Sequence, residues 1–215
     1  MLKRQDLLPI AAILAAAATR LIPHWPNFTS IGAMALFGGA TFQHRRVAFL
    51  VPFAAMLLTD SILGFHSGIA FVYLAFALIV LLGFALQRKT LSRRREESHS
   101  YDAGGIPQAS SVRTISKNTL RSARTPLTIG AAALLASCIF FVVSNIGSWT
   151  MFYEKTWSGL MTCYANALPF FVNTVLADLF YSVVLFGGYA LVRSRISVSD
   201  AAAETEQISV ASSTD

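Results

Sequence analysis

The chain has 215 residues, of which 54% are hydrophobic and only 13% are charged, and its net charge is +6. Soluble domains usually contain about 25% charged residues, so the composition argues against a soluble globular protein and indicates a chain embedded in a bilayer. The positive charge does not indicate a nucleic-acid partner, because the basic residues cluster in short connectors beside apolar runs, the arrangement that orients membrane proteins.

The apolar runs predict an all-α integral membrane protein with six transmembrane helices. The predicted spans are residues 7–21, 31–42, 47–64, 69–86, 126–146 and 164–192. A basic, serine-containing stretch at residues 88–125 predicts a disordered cytoplasmic linker, and residues 197–215 predict a disordered tail. The linker separates a first membrane half, residues 1–87, with about four spans, from a second half, residues 126–196, with about two spans and an interfacial segment.

The first predicted span is rich in alanine. Ala11 and Ala15, and likewise Ala12 and Ala16, are four residues apart and share a helical face. Small residues at this spacing allow another helix to approach closely in lipid. The face either packs within the protein's own bundle or accepts a helix of a partner protein.

The stretch at residues 20–30 links the first two spans and is the most unusual part of the chain. It holds two prolines together with Arg20, His24, Trp25, Asn27 and Thr29. Tryptophan supplies a flat face and the asparagine amide offers donors and an acceptor, so His24, Trp25, Asn27 and Thr29 are candidates for a polar rim over a bound ring. The alternative is that the tryptophan anchors the chain at the head-group level and the asparagine stabilises a turn.

The second predicted span is short. Twelve residues of helix rise only about 18 Å, against a hydrocarbon core of about 30 Å. The span must be tilted, broken or extended by the preceding connector. Non-helical backbone at membrane depth is tolerated where it is buried in protein or lines a cavity. The short span therefore also predicts a site near Asn27.

The second membrane half carries a comparable aromatic stretch at residues 147–160, which predicts an interfacial or re-entrant segment. Asn145, Trp149 and Tyr164 lie in or beside it and complete the predicted substrate-binding set. Asn145 lies in an apolar helix and needs a hydrogen-bond partner, either another side chain or a ligand.

Three ionisable residues lie within or at the end of apolar runs, namely Arg20, Asp60 and Asp178. Such groups are costly in a membrane and are usually paired or functional. Arg20 is the candidate counter-charge for the two aspartates. A structural ion pair, an interfacial position and a contact with a ligand or ion remain open for both aspartates.

The distribution of basic residues predicts the orientation. With the N-terminus inside, 15 of the 17 lysines and arginines lie on the inner side, as the positive-inside rule requires. We therefore expect a bacterial inner-membrane protein with both termini in the cytoplasm and residues 22–30 and 147–160 on the outer face. The sequence Leu-Phe-Gly-Gly recurs at residues 36–39 and 185–188, which favours a 3+3 arrangement of related halves.

The sequence contains none of the common catalytic motifs. It has no phosphate-binding loop, no His-x-x-x-His pair and no Gly-x-Ser-x-Gly turn. Cys138 and Cys163 have no metal-type spacing and are expected to be small buried apolar residues. We expect no catalytic residue, no metal site and no cofactor, and the protein is not predicted to be an enzyme.

Four longer motifs carry a resemblance to a known family. They are residues 20–40, residues 52–66 with Pro52 and Asp60, residues 144–149, and residues 159–178 with Pro169 and Asp178. Together they resemble a bacterial family of uncharacterised membrane proteins assigned to transport. The layout is also distantly similar to the substrate-binding subunits of energy-coupling factor transporters. That resemblance implies six helices, capture of a vitamin-like solute from outside, and docking of the alanine-rich first helix on a transmembrane coupling subunit served by ATPases.

These observations predict a membrane protein that binds a small organic solute from the outer face and takes part in its uptake. Two other functions remain open. One is an ion-coupled secondary permease that uses Asp60 or Asp178. The other is a membrane scaffold without transport activity, with residues 88–125 as its interaction segment.

Overall fold

The computed structural model describes residues 6–65, 67–102 and 110–195, and for residues 89–102 and 110–125 it describes the backbone alone. In these ranges the chain is helical and contains no strand. A 3₁₀ turn, Thr19–Leu21, extends α1, and a π-helical turn, Val183–Gly187, follows α6 and leads into helical residues 188–195. The helices are α1 (Leu7–Ala18), α2 (Ile31–Thr41), α3 (Arg45–Leu63), α4 (Ile69–Asp102), α5 (Ser110–Phe152) and α6 (Trp157–Ser182).

Four helical stretches are long and apolar enough to cross a membrane: Arg45–Leu63, Ile69–Arg88, Pro126–Phe152 and Trp157–Arg195. Their outward surfaces are apolar, with Leu50 69% and Val183 72% exposed. Large exposed apolar surface is rare on soluble monomers and normal in lipid. The structure is consistent with an all-α membrane protein and has six helices in the described residues. Four of them are long enough to span a membrane, whereas α1 with its 3₁₀ turn and α2 are shorter, so six transmembrane spans stay a prediction. The predicted 3+3 arrangement stays a prediction.

The short helix α2 lies at the centre of the bundle. All residues from Ile31 to Gly39 are buried, and α2 contacts each of the five other helices. One of its faces packs with α1, α3 and the π-helical turn, where Phe37 meets Phe186 and Tyr189 edge to face. The other face packs with α3, α4 and α5. Because α2 is enclosed by protein, it does not have to span the bilayer by itself.

Glycines allow the neighbours of α2 to come this close. A Cβ on Gly83 of α4 would lie 2.6 Å from the Leu36 carbonyl oxygen and 2.8 Å from the Gly39 Cα. On the side of α3, a Cβ on Gly38 would lie 2.6 Å from the ring of Pro52. Backbone-to-backbone contact of this kind is typical of helix packing in membranes, where small residues line the crossing.

Side-chain contacts show which helix ends lie together. Asn173 of α6 donates a hydrogen bond to the Pro26 carbonyl oxygen at 2.9 Å, and Arg20 after α1 meets Asp60 near the end of α3. At the other end of the bundle, Gln87 Nε2 donates to the Phe42 carbonyl oxygen at 3.0 Å. We call the first of these the connector end, because it carries the connector at residues 22–30. Asn173, which contacts the connector, is 16 residues into α6, so the α5–α6 turn at residues 153–156 lies about 24 Å further along that helix.

The stretch at residues 147–160 differs from its prediction as an interfacial or re-entrant segment. Helix α5 continues to Phe152, and α6 begins at Trp157 after only four residues. The turn is closed by Trp149 Nε1, which donates to the Glu154 carbonyl oxygen at 2.9 Å, and by Thr156 Oγ1, which accepts from the Gly159 amide at 3.0 Å. The aromatic residues of this stretch are therefore parts of a tight helical hairpin.

Two predicted segments are tested little or not at all. The tail at residues 197–215 and the centre of the linker at residues 103–109 lie outside the described residues. Helical backbone of α4 and α5 enters residues 88–125, but the side chains of residues 89–125 are not described. The division into two membrane halves joined by a basic linker stays a prediction.

The contact between α2 and α4 predicts a difference between two glycines. Gly39→Ala would drive a Cβ into the Val80 carbonyl group, and we expect this overpacking to destabilise the fold by about 1–3 kcal/mol. Gly130→Ala in α5 is the matched control, since no atom lies within 4 Å of the added Cβ, and it should be neutral or stabilise by up to about 1 kcal/mol. Thermal unfolding in detergent measures both, and equal melting temperatures would contradict the close crossing.

Candidate functional site

A cavity of about 560 Å³ lies at the connector end between α5, α6 and the connector. This volume is within the range of about 300–1,000 Å³ that small-molecule sites occupy. Pro26 and Asn27 form its edge on the side of the connector, and the remaining walls come from α5 and α6. The lining residues are Pro26, Asn27, Phe140, Phe141, Ser144, Asn145, Ser148, Phe152, Tyr153, Cys163, Asn166, Ala167, Phe170 and Thr174.

The lining follows one face of each helix. On α5, Phe141, Ser144, Asn145, Ser148 and Phe152 repeat at intervals of three or four residues, and α6 repeats in the same way from Cys163 to Thr174. This is the spacing that places side chains on one side of an α-helix. The cavity thus results from two semi-polar faces turned toward each other.

Three asparagine amides face the cavity. Asn145 Nδ2 donates to the Phe141 carbonyl oxygen at 2.7 Å, one turn earlier in α5, and Asn166 Nδ2 donates to the Tyr153 hydroxyl at 3.3 Å. Asn27 has a φ of 59°, a left-handed conformation that asparagine tolerates better than most residues. Amides combine two donors and an acceptor, so these three side chains can bind groups of either kind.

The Phe141 ring, which lines the cavity on α5, packs against two aromatic rings of α6. Phe141 lies 5.5 Å from the Tyr164 ring and 4.6 Å from the Phe171 ring, measured between centroids. Tyr164 is itself fixed, because its hydroxyl donates to the Val142 carbonyl oxygen at 2.8 Å. A packed ring of this kind offers a bound molecule a rigid surface at little cost in entropy.

The connector is fastened over the cavity by α6. The Asn173 amide holds the Pro26 carbonyl group, and Phe28 packs against Phe180 and Tyr181 with centroids 6.2 and 6.1 Å away. At the beginning of α2, Ser30 Oγ donates to the Ala16 carbonyl oxygen at 2.7 Å. The position of Asn27 therefore depends on contacts with both α1 and α6.

The structure brings together two of the predicted binding residues, Asn27 and Asn145. The other five are not among the residues that line the cavity. Trp25 is 69% exposed, Thr29 is half-buried, and His24 Nδ1 contacts the Ile22 carbonyl oxygen within the connector. The side chains of Trp149 and Tyr164 bond to backbone carbonyl groups and support the helical hairpin and the aromatic wall.

Sequence analysis missed several lining residues. Asn166, Ser148 and Phe170 were not among the predicted binding residues, although all three line the cavity. Their helical spacing from Asn145 and Cys163 is visible in the sequence. Helical spacing does not say which face of α5 turns toward α6, so the pairing of the two faces needed the structure.

Arg20 and Asp60 form an ion pair beside the connector. Arg20 Nη2 lies 2.7 Å from Asp60 Oδ1, and the two side chains are 9% and 8% exposed. Tyr73 donates to Asp60 Oδ2 at 2.9 Å, and Arg20 also donates to Thr59 Oγ1. The geometry supports a structural ion pair among the alternatives, and it pairs Arg20 with Asp60 rather than with Asp178.

Asp178 has a different environment. It is 2% exposed, accepts a hydrogen bond from Ser137 Oγ at 2.7 Å, and faces the backbone amide of Ala33 in the first turn of α2. Gly32 makes room for it, since a Cβ there would lie 2.6 Å from Asp178 Oδ2. A carboxylate satisfies the free amides and the positive end of a helix N-terminus. Within the described residues Asp178 forms no ion pair.

The predicted partner-helix face is divided. Ala11 and Ala15 are exposed, whereas Ala16 is buried against the bundle and Ala12 is half-buried.

Among the described residues no group of three or more histidine, cysteine or acidic side chains is placed to hold a metal ion.

The Arg20–Asp60 pair yields a prediction about stability. Removing one member of a buried pair leaves the other charge unpaired, so Arg20→Met alone or Asp60→Asn alone should each destabilise the fold by about 3–5 kcal/mol. In the double variant no charge is stranded, and we expect it to be more stable than Arg20→Met. Thermal unfolding of the four proteins in one detergent completes the cycle. Strictly additive effects would show that the pair is not coupled.

Comparison with known proteins adds a family assignment. The model of a family of unknown function, DUF6580, matches residues 2–202, which is most of the chain. No curated protein and no solved structure matches it. The cavity, the central helix α2 and the Arg20–Asp60 ion pair all lie within the matched range. The chain belongs to the DUF6580 family.

Proposed function

We propose that this protein is an integral membrane protein that binds a small organic solute, vitamin-like or another micronutrient, and takes part in its uptake. The observation that carries the proposal is the cavity of about 560 Å³ that combines Asn27 of the connector with Asn145 of α5. Pockets that combine apolar walls with a few convergent polar groups are the usual form of small-molecule sites.

The distribution of charge supports entry from outside. With 15 of the 17 lysines and arginines on one side of the proposed bilayer, that side is the cytoplasmic one. Both termini then lie in the cytoplasm of a bacterial cell, and the connector end faces the exterior of the inner membrane.

The layout supports a substrate-binding subunit of the energy-coupling factor type. Six helices, a connector over an outward cavity and an alanine-rich first helix fit that plan. In this proposal Ala11 and Ala15, which are exposed on α1, contact a transmembrane coupling subunit, and separate ATPases supply the energy. Ala12 and Ala16 belong to the packing of the protein's own bundle.

An ion-coupled permease is the second candidate, and the position of Asp178 favours it. Thr174 at the cavity, Asp178 one turn later and Ser182 after another turn form a buried polar row on α6. The Ser182 hydroxyl has no partner in the described part of the chain. Ionisable groups below a binding pocket are typical of proton and ion pathways.

The binding function predicts that two amides retain the solute. Asn27→Gly removes one amide and keeps the left-handed backbone, which glycine adopts freely, and Asn145→Ala removes the other. Each should lower the amount of co-purified small molecule about fivefold or more, since one such contact contributes about 1–3 kcal/mol. Mass spectrometry of compounds released from gently purified protein measures this.

The matched control for that experiment is Ser61→Ala. Ser61 is exposed on α3, bonds only to the Leu58 carbonyl oxygen one turn earlier, and lies away from the cavity. It should carry as much compound as the parent protein. Unchanged loading of both asparagine variants would remove the cavity from solute binding.

The two candidate mechanisms differ in their energy source. For the compound so identified, uptake driven by ATPases should persist when a protonophore collapses the proton gradient. Asp178→Asn keeps an oxygen that accepts from Ser137 but loses the second acceptor that faces the Ala33 amide, so uptake should persist per amount of folded protein. An ion-coupled permease should lose uptake in both experiments. Cellular uptake of the labelled compound distinguishes them, and loss of uptake in both experiments would replace the first mechanism by the second.

A further inference from the structure

We propose that the solute of this cavity is uncharged at neutral pH, has a flat ring, and carries an amide-like edge that both donates and accepts hydrogen bonds. This inference rests on the proposed function and narrows it to a class of substrate.

The lining carries no charge that could pair with a charged solute. Among the described residues that line the cavity there is no aspartate, glutamate, lysine, arginine or histidine. An ion that leaves water without a partner loses its hydration, and the loss is large in an apolar environment. Carboxylates, phosphates and amines are therefore poor occupants.

The charged groups closest in sequence to the lining residues are engaged, except for Glu154, which is exposed at the α5–α6 turn. Asp178, one turn beyond Thr174, is bound by Ser137 and directed at the beginning of α2. Arg20 is held by Asp60. At the α5–α6 turn, Lys155 Nζ donates to the carbonyl oxygens of Trp149 and Tyr153 at 3.0 and 2.7 Å. A charged solute would have to displace one of these contacts or pair with the exposed Glu154, and ion pairs at exposed sites contribute little.

The polar groups that remain are amides. Asn145 uses one N–H for the Phe141 carbonyl group, and Asn166 uses one for Tyr153, so each keeps an oxygen acceptor and a second N–H. No described contact engages the Asn27 side chain, which keeps its oxygen and both N–H groups. Side chains that offer a donor beside an acceptor match a partner edge with the same two groups, as in a primary amide, a lactam or an amino-substituted ring nitrogen.

The serine and threonine hydroxyls add acceptors, and the Tyr153 hydroxyl, which accepts from Asn166, keeps its O–H as a donor. Ser144, Ser148 and Thr174 donate to the carbonyl oxygens of Phe140, Ser144 and Phe170, each one turn earlier in the same helix. Their oxygens keep lone pairs, which favours a solute that donates N–H or O–H groups.

The apolar walls call for a flat ring. Phe140, Phe141, Phe152 and Phe170 line the cavity, and Phe141 is fixed by the rings behind it. Aromatic faces stack on planar rings, and they also attract cations. A cage for a quaternary cation would need no amides, whereas this cavity has three, so the polar groups decide between the two occupants.

Three probes of nearly the same shape test both the charge of the solute and the hydrogen-bonding groups on its edge. Benzamide is neutral and offers a donor and an acceptor, benzoate is an anion that only accepts, and benzamidinium is a cation that only donates. Saturation-transfer NMR on the purified full-length protein in detergent detects weak binding of each. Asn145→Ala and Asn166→Ala correct for partition into the micelle. Asn166 is exposed, so its replacement leaves the packed core unchanged.

The expected result is a benzamide signal in the parent protein that falls at least fivefold in both variants, with no variant-dependent signal from the two ions. The isosteric change Asn166→Asp adds one negative charge at the cavity and should create a benzamidinium signal. A variant-dependent signal from benzoate or benzamidinium equal to that of benzamide in the parent protein would overturn the inference and leave solute binding intact. If none of the three probes gave a variant-dependent signal, both the substrate class and the assignment of the cavity would fall.

Discussion

The burial of α2 is the constraint on which the rest of the structure depends. The first backbone N–H groups of an α-helix have no acceptor within the helix. Because α2 is enclosed from Ile31 to Gly39, water cannot accept hydrogen bonds from these groups, and protein groups must do so. Asp178 and Ser137 supply polar groups from α6 and α5 at that end, and Gly32 leaves the space for them. Around the middle of α2, glycines let α3 and α4 approach to backbone distance. The five other helices all pack against the eleven residues of α2, so their positions depend on this helix.

The shortness of α2 also accounts for the site. Helix α2 has eleven residues and begins only at Ile31. Non-helical chain at residues 22–30 precedes it, and Asn173 donates a hydrogen bond to the Pro26 carbonyl oxygen in that chain. Asn27 reaches the faces of α5 and α6 because of this. The cavity is therefore bordered by the connector that joins the two short helices, α1 and α2.

Much of this arrangement could be predicted from the sequence. The apolar runs predict the six helices, and the shortness of the second predicted span indicates the connector. Asn27 and Asn145, both predicted to bind a solute, line one cavity, and their role in binding stays a prediction. The partner of Asp178 could not be predicted, because Gly32 and Ser137 are distant in sequence and have no charge. Trp149 and Tyr164 do not line the cavity for a related reason. A polar aromatic side chain near a cavity can serve the backbone instead, and only the positions of the Glu154 and Val142 carbonyl oxygens decide this.

The fastening of the connector has a mechanical consequence. The connector continues directly from α1, and Tyr181 of α6 donates to Thr19 Oγ1 at 2.9 Å just before it. Lifting Asn27 away from the cavity must either break the contacts with α6 or pull on the end of α1. The opposite surface of α1 exposes Ala11 and Ala15. Binding of a solute in the cavity and binding of a partner at Ala11 and Ala15 would then both act on α1. Thermodynamic linkage requires that any coupling free energy between the two binding events is the same in both directions.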